Sequence, residues 1–417
     1  MYRRAKMIRP ALHTLIPALL LTACVTAPQG LPPDSPPIEA PAAQQAGALP
    51  GAAVPPADGS RPPAPTLPAL PQQPPRPAYP PEREGVAQLL RLIPPKAADR
   101  NGWAEDIFRA FAAQQLAPTQ AQFCAAIAVI EQESSFVADP PVPGLGHIVR
   151  EELYRKAAAY LVPPLVVDMA LLKPSRDGRS YGKRIDALRT EREMNGLFNE
   201  MVAELPDFAK ALGNKNPIRT GGPMQVSVSF AEEYLQTHRY PYARHGTVRD
   251  EVFTRRGGVY FGIANLLDYP ASYPSPLYRF ADFNAGRYAS RNAAFQAAVA
   301  RLSGRKLALD GDLLRYRDGK PLADQSSTEA GLLAMSTKLS MTPGEIRRDL
   351  LQEKTAAFMQ TPLWLRVMAQ ADRAAGRAVP REVLPQIQLQ SPKITRKLTT
   401  EWFARRVEGR WQTCMQR

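Results

Sequence analysis

The sequence predicts a mainly α-helical protein, with a helical insertion and a mostly helical C-terminal extension that contains a small β-hairpin. Three observations predict it. Around residues 125–136 apolar side chains recur at helical spacing. At 100° per residue Phe123, Ile127 and Ile130 share one side and Ala126, Val129 and Phe136 lie beside it, leaving a narrow polar edge at Gln132 and Ser135. Helix-start signals recur downstream: Thr119 with Gln122 three residues on, Ser229 with Glu232, and Thr342-Pro343 and Thr361-Pro362 with proline at the first helical position. One short segment, residues 306–316, reads as a hairpin with Asp310-Gly311 at its turn.

The front of the chain reads as an address. Arg3, Arg4, Lys6 and Arg9 precede a short apolar run over residues 11–21. This layout is that of a secretory leader, too short for a stable membrane span. Leu21-Thr22-Ala23-Cys24 resembles a bacterial lipobox, which implies removal of residues 1–23 and lipidation of Cys24. The plain alternative is an ordinary leader with an incidental cysteine. Val25 follows where an Asp would retain the protein at the inner membrane. By resemblance to lipoprotein sorting in Gram-negative cells, this implies the outer membrane, through the lipid anchor, with the protein facing the periplasm.

Residues 24–84 form a Pro-rich linker: residues 25–84 hold 19 of the 43 prolines and few aliphatic side chains, so they build no core and are expected to be extended. Some 60 residues at roughly 3 Å each reach at most on the order of 180 Å. Of the formal net charge of +14, the leader carries four positive charges, and the linker's three basic and five acidic residues sum to minus two, which leaves +12 on the folded part. A basic surface implies a polyanionic partner. Export argues against nucleic acid, and there is no Walker loop, zinc-finger spacing or RNA-binding signature.

Apart from Cys24, the cysteines are Cys124 and Cys414. The periplasm permits a disulfide between them, and two separate thiols are the alternative. His13, His147, His238 and His245 lack metal-ligand spacing, so no metal and no cofactor is expected.

In the folded part, Asn101-Gly102-Trp103 opens a helix to about Gln115 with Trp103, Ile107, Phe108 and Phe111 on its apolar side. The central apolar helix follows. It ends in two acids, Glu131 and Glu133, which periodicity leaves equal. A carboxylate at a buried helix end is costly unless paired, hydrogen-bonded or protonated, and desolvation would raise its pKa towards that of a general acid. The bland reading is that both acids mark where the helix meets solvent. Residues 139–144 are a Pro-rich loop, and helices are expected over 149–161, 165–172 and 185–205, with a basic loop at 173–184 that either touches acidic peptide stems or is merely solvated. Further helices are expected over 250–267 and from Tyr278, and a last one from Ser391-Pro392 carrying Trp402, Phe403 and Trp411.

Four short segments occur in a telling order: Glu133-Ser134-Ser135-Phe136, Gly222-Pro223-Met224-Gln225, Gly257 with Tyr260-Phe261, and Phe283-Asn284-Ala285-Gly286. Together they resemble the soluble lytic transglycosylases, whose patterns are Glu-Ser-x-Phe, Gly-Leu-Met-Gln, Gly-x-x-Tyr-Leu and Ala-Tyr-Asn-Ala-Gly. The resemblance covers about residues 100–300. It implies a lysozyme-like catalytic domain over 85–300 with an insertion at about 140–215, and an extension over 301–417. It selects Glu133 over Glu131 as a single acid and base acting on peptidoglycan, with Ser134, Met224, Gln225, Tyr260, Phe283 and Asn284 around the substrate. Phe283 and Pro223 depart from the family pattern, and Glu133 lies 89 positions before Gly222. No second acid of suitable placement is evident; Asp139 is near in sequence but sits in the proline loop. The alternatives are a non-catalytic peptidoglycan-binding or scaffold lipoprotein and a lysozyme-type hydrolase. The resemblance names no protein partner.

Overall fold

The computed structural model describes residues 77–204, 216–317, 319–389 and 398–417. The leader, Cys24, the linker up to residue 76 and the expected helix start at Ser391-Pro392 lie outside them. The protein is mainly helical, with three two-stranded antiparallel pairs among the described residues.

The first core begins earlier than composition suggests. The linker was expected to run to Glu84, but helix α1 starts at Glu82 (Glu82–Leu92), and Tyr79 ahead of it donates its hydroxyl to the Phe111 carbonyl at 2.9 Å. Helix α2 (Arg100–Gln114) buries Trp103, Ile107, Phe108 and Phe111, the side its sequence pattern marks. Helix α3 (Gln120–Ser134) is capped by Thr119, whose Oγ1 accepts from the Gln122 amide at 3.3 Å, and every side chain from Phe123 to Ile130 is buried. An all-round apolar helix of this kind belongs inside. It ends sooner than its pattern: Ser135 and Phe136 are both left-handed, with φ of 51° and 62°.

The inserted region builds a core of its own. It contains α4 (Leu145–Ala159), α5 (Pro164–Leu171), α6 (Tyr181–Asp186) and α7 (Glu191–Ala203). The single helix expected over 185–205 is therefore two. The chain stops at Asp186 and restarts at Thr190, which forms a reciprocal capping box with Glu193. Ile218 and Phe253 from outside the insertion complete this second core.

Strands β1 (Thr220–Gly221) and β2 (Val226–Ser227) pair with Gly221 opposite Val226. Helix α8 (Val228–Thr237) is capped by Ser227, whose Oγ accepts from the Phe230 amide, and not by Ser229 as the capping pattern suggested. Two helices, α9 (Val248–Val252) and α10 (Arg255–Leu267), replace the one expected over 250–267, because Thr254 caps a new start by accepting from the Gly257 amide at 3.0 Å. Helices α11 (Pro276–Ala285) and α12 (Ala289–Ser303) follow.

Helix α12 opens a third core with α13 (Ser327–Leu333), α14 (Ser336–Leu339), α15 (Pro343–Leu350) and α16 (Pro362–Ala375). Thr342 and Thr361 cap α15 and α16 with proline at the first position, as expected. The hairpin is displaced from its expected place: its strands are Tyr316–Arg317 and Lys320–Pro321. Asp310-Gly311 instead docks the preceding loop on α12. The Gly311 amide donates to Gln296 Oε1 at 2.9 Å, and Gln296 Nε2 donates to Asp310 at 2.7 Å.

The chain then returns to the first core. Helix α17 (Thr400–Met415) packs on α3 and α11, with Phe403, Ala404 and Val407 buried among them. Cys414 is disulfide-bonded to Cys124 across a sequence separation of 290, so the tail is part of the first core and not an appendage to it. The Trp411 indole donates to the Ala121 carbonyl at 2.9 Å.

Candidate functional site

Apolar members of all four motif segments, Phe136, Met224, Tyr260, Phe261 and Phe283, share the first core. Helix α10 packs on α2, α3 and α11, so it links these segments physically.

Glu133 is half-buried at the last turn of α3. Ser134 beside it is buried and donates its hydroxyl back to the Ile130 carbonyl at 3.0 Å, a bond within the helix. Left-handed Ser135 and Phe136 then turn the chain sharply. The Phe136 ring meets Trp103 edge-on at 5.3 Å, and the Arg255 guanidinium covers Trp103 at 5.6 Å. Asp106 holds Arg255 in that place at 2.6 Å. Two consecutive non-glycine residues in this region are costly, and packing of this kind is what sustains them.

Gly222-Pro223-Met224-Gln225 is the turn between β1 and β2. Its shape depends on close approach. Gly222 has φ of 72°, and a Cβ there would meet the Val252 carbonyl oxygen at 2.1 Å. Gly258 and Gly262 leave room on α10 for Pro223 and Met224. Met224 is fully buried, whereas Gln225 is half-buried with φ of 49°.

Tyr260 lies in the core, 1 % exposed, with its hydroxyl donating to the Arg239 carbonyl at 2.9 Å. Phe283 is buried as well. Asn284 is half-buried, and its Oδ1 accepts from the Thr400 hydroxyl at 2.9 Å, at the start of α17. Next to these two, the buried Asp282 carboxylate accepts from the hydroxyls of Tyr269 and Tyr273 and from the amides of Tyr288 and Ser290, which fixes the turn between α11 and α12. The expected site residues thus divide. Glu133, Gln225 and Asn284 are half-buried, while Ser134, Met224, Tyr260 and Phe283 are buried and committed to packing or internal bonds.

The insertion adds a residue that sequence reasoning passed over. Glu191, the first residue of α7, is buried, and its Oε2 accepts from Gln225 Nε2 at 3.1 Å. Thr190 next to it donates its hydroxyl to Asp139 Oδ2 at 3.0 Å, and Pro141 forms a bridge with Thr190. One dipeptide of the insertion therefore stitches the loop after Glu133 to the Gly222–Gln225 turn. Burial pushes the Asp139 carboxyl upward, opposed by Thr190 and Arg192 and reinforced by Glu193 and Glu191. In sequence, Glu191 looks like an ordinary first-turn acid facing the helix dipole.

The basic loop over 173–184 is partly neutralised. Arg184 pairs with Glu200 at 2.7 Å, Lys173 with Glu204 at 2.7 Å and Arg179 with Asp177 at 2.6 Å. Among the described residues there is no group of three or more His, Cys, Asp or Glu placed to hold a metal ion.

Residues 96–417 match the family described as "Protein of unknown function (DUF1615)". The chain belongs to the DUF1615 family. It is 48 % identical over 331 residues to "Uncharacterized protein YaiW" of Escherichia coli (strain K12), covering 79 % of this chain and 89 % of that protein. No solved structure matches. The DUF1615 match spans the α3 end, the insertion, the Gly222–Gln225 turn and the returning α17, so it takes in the whole candidate site.

Proposed function

We propose that this DUF1615 protein is an outer-membrane-anchored lytic transglycosylase with a lysozyme-like core. It cleaves the β-1,4 bond between N-acetylmuramic acid and N-acetylglucosamine in peptidoglycan, with Glu133 as general acid and base. The observation that carries the reading is the backbone at two of the four motif segments. Ser135 and Phe136 directly after Glu133, and Gln225 in the second motif segment, are non-glycine residues with φ of 51°, 62° and 49°. Conformations of this kind persist where the surroundings impose them, and they concentrate at active sites and ligand clamps. The joining of both segments through Thr190 and Glu191 gives further support.

In the proposed reaction Glu133 donates its proton to the glycosidic oxygen as the bond to C1 of the muramic acid breaks. The C6 hydroxyl of the same sugar then attacks C1 and returns its proton to the carboxylate, closing the 1,6-anhydro ring. One carboxyl group thus does both proton transfers, and no water is consumed. A group that must donate and then accept a proton needs access to ligand as well as an apolar surround. Half-burial at the end of an otherwise buried helix provides both for Glu133. The amide of Gln225, fixed by Glu191, is a sugar-facing hydrogen-bond group under this reading.

A second reading is a non-catalytic peptidoglycan-binding lipoprotein. The burial of Met224, Tyr260 and Phe283 favours it, because these residues then serve the fold alone. Digestion of purified sacculi followed by muropeptide mass spectrometry separates the readings. Anhydro ends support the transglycosylase, reducing ends indicate a hydrolase, and binding without turnover indicates the scaffold.

A further inference from the structure

Among the described residues, half of the large apolar side chains that stand exposed fall within thirteen consecutive residues of the insertion. Tyr160, Leu161, Leu165, Met169 and Leu172 occupy the tip between α4 and α5 and the outer side of α5. Leu161 is 92 % exposed and left-handed, with φ of 59°, so its backbone presents the side chain at a sharp corner. Leu165, Met169 and Leu172 recur at spacings of four and three, which places them on one helix face. The one charged residue of α5, Asp168, is turned towards α4, where it accepts from the Tyr154 hydroxyl at 2.6 Å and pairs with Arg150 at 3.3 Å. The outward face is left apolar. Val167, Ala170 and Leu171 on its inner side belong to the second core, so the outer residues are not needed to hold α5 in place. Contiguous exposed apolar surface marks an interaction site.

We infer that this tip is a membrane-docking surface that seats the domain on an anionic phospholipid bilayer. A convex corner of Leu, Met and Tyr side chains is suited to the boundary between headgroups and acyl chains. Arg176 and Lys183 stand exposed on the loop and helix that continue from Leu172. Together with the +12 charge of the folded part, they complement anionic headgroups. Among the described residues no helix is long and apolar enough to cross a membrane, so the contact is interfacial. The inference rests on the proposed lipid anchor at Cys24, which keeps the domain near a bilayer. A lipid anchor together with a second apolar and basic contact holds a domain at the surface and fixes its orientation there.

The test uses the mature lipidated protein in vesicles of phosphatidylethanolamine and phosphatidylglycerol. An environment-sensitive fluorophore is attached through Leu161→Cys in one sample and through Leu365→Cys, an exposed residue of α16 outside the patch, in another. Flotation with the vesicles reports the anchor, and the probe spectrum reports the patch. The expected result is a blue shift at position 161, quenched by lipid-borne doxyl groups, with no shift at 365. Introducing Leu165→Asp and Met169→Asp abolishes the shift at 161 and leaves flotation intact. Flotation with no shift at 161 overturns the docking surface and spares the anchor. A shift that doxyl lipids do not quench also overturns it, since a second copy or another protein then covers the tip. Absence of both flotation and a quenched shift at 161 overturns the anchor and the docking surface together.

Discussion

The Gln225 amide donates to a carboxylate 34 positions away in sequence, a contact that ties the insertion to the Gly222–Gln225 turn. That amide lies in the tightest turn of the candidate site, and Glu191 reaches it from the buried first turn of α7. Gln225 Nε2 also donates to the Gly222 carbonyl at 3.4 Å, so Glu191→Ala removes the shorter of two bonds and is expected to lower unfolding free energy by about 1 kcal/mol. Glu191→Gln, which keeps an acceptor oxygen, is expected to recover most of that loss. Urea denaturation of the two variants checks this, and equal stability of Glu191→Ala and wild type counts against the contact. Glu133 stands out in the sequence as a candidate because it lies at the end of an apolar helix and is followed by Ser-Ser-Phe, which resembles a family motif. Glu191 does not. Nothing in its neighbourhood distinguishes it from the many acids that favour helix N-termini, and its partner is brought to it only by the packing of the insertion.

Some helix starts set by a local cap were readable, while others just as local, at Thr190, Ser227 and Thr254, were hidden inside longer apolar patterns. Thr119, Thr342 and Thr361 each cap the helix their sequence announced. Asp310-Gly311 has the dipeptide of a tight hairpin, yet Gln296 on α12 claims it and the hairpin forms further on. Ser135 and Phe136 fit an apolar helical pattern, yet Trp103 draws the Phe136 ring out of it. The role of α17 was equally hidden, since the sequence shows an amphipathic tail without saying what it covers. Its disulfide to α3 closes a very long loop. Breaking it is expected to lower stability by about 2–5 kcal/mol. Denaturation of wild type with and without reductant, alongside Cys414→Ser, measures this. An unchanged midpoint in both would show that α17 is held by Phe403, Val407 and the Trp411 bond without the cross-link.

At the scale of the molecule, the candidate site belongs to the first of three cores and borrows from the second. The third carries a buried acid of its own. Glu353 is fully buried, and burial pushes its carboxyl up to about 7, against the neighbouring Lys354 ammonium. A folded pKa above the ordinary carboxylate value favours the protonated form in the fold. The stabilisation is therefore full below about 4.5 and is lost as pH rises through about 7. The shift corresponds to roughly 3 kcal/mol as an upper bound. The stability of wild type is expected to fall between pH 5 and pH 8 relative to Glu353→Gln, as pH-resolved denaturation will show. Parallel curves would mean that Glu353 keeps its charge when folded. The central claim, however, concerns Glu133. Peptidoglycan sacculi incubated with purified wild type and with Glu133→Gln, followed by muropeptide mass spectrometry, test it most directly. The account predicts 1,6-anhydro-muropeptides from wild type and a loss of at least about 100-fold in the variant, the scale of a general acid–base contribution, with folding unchanged by circular dichroism. Equal release of anhydro products by both proteins, or none from folded wild type, would contradict it.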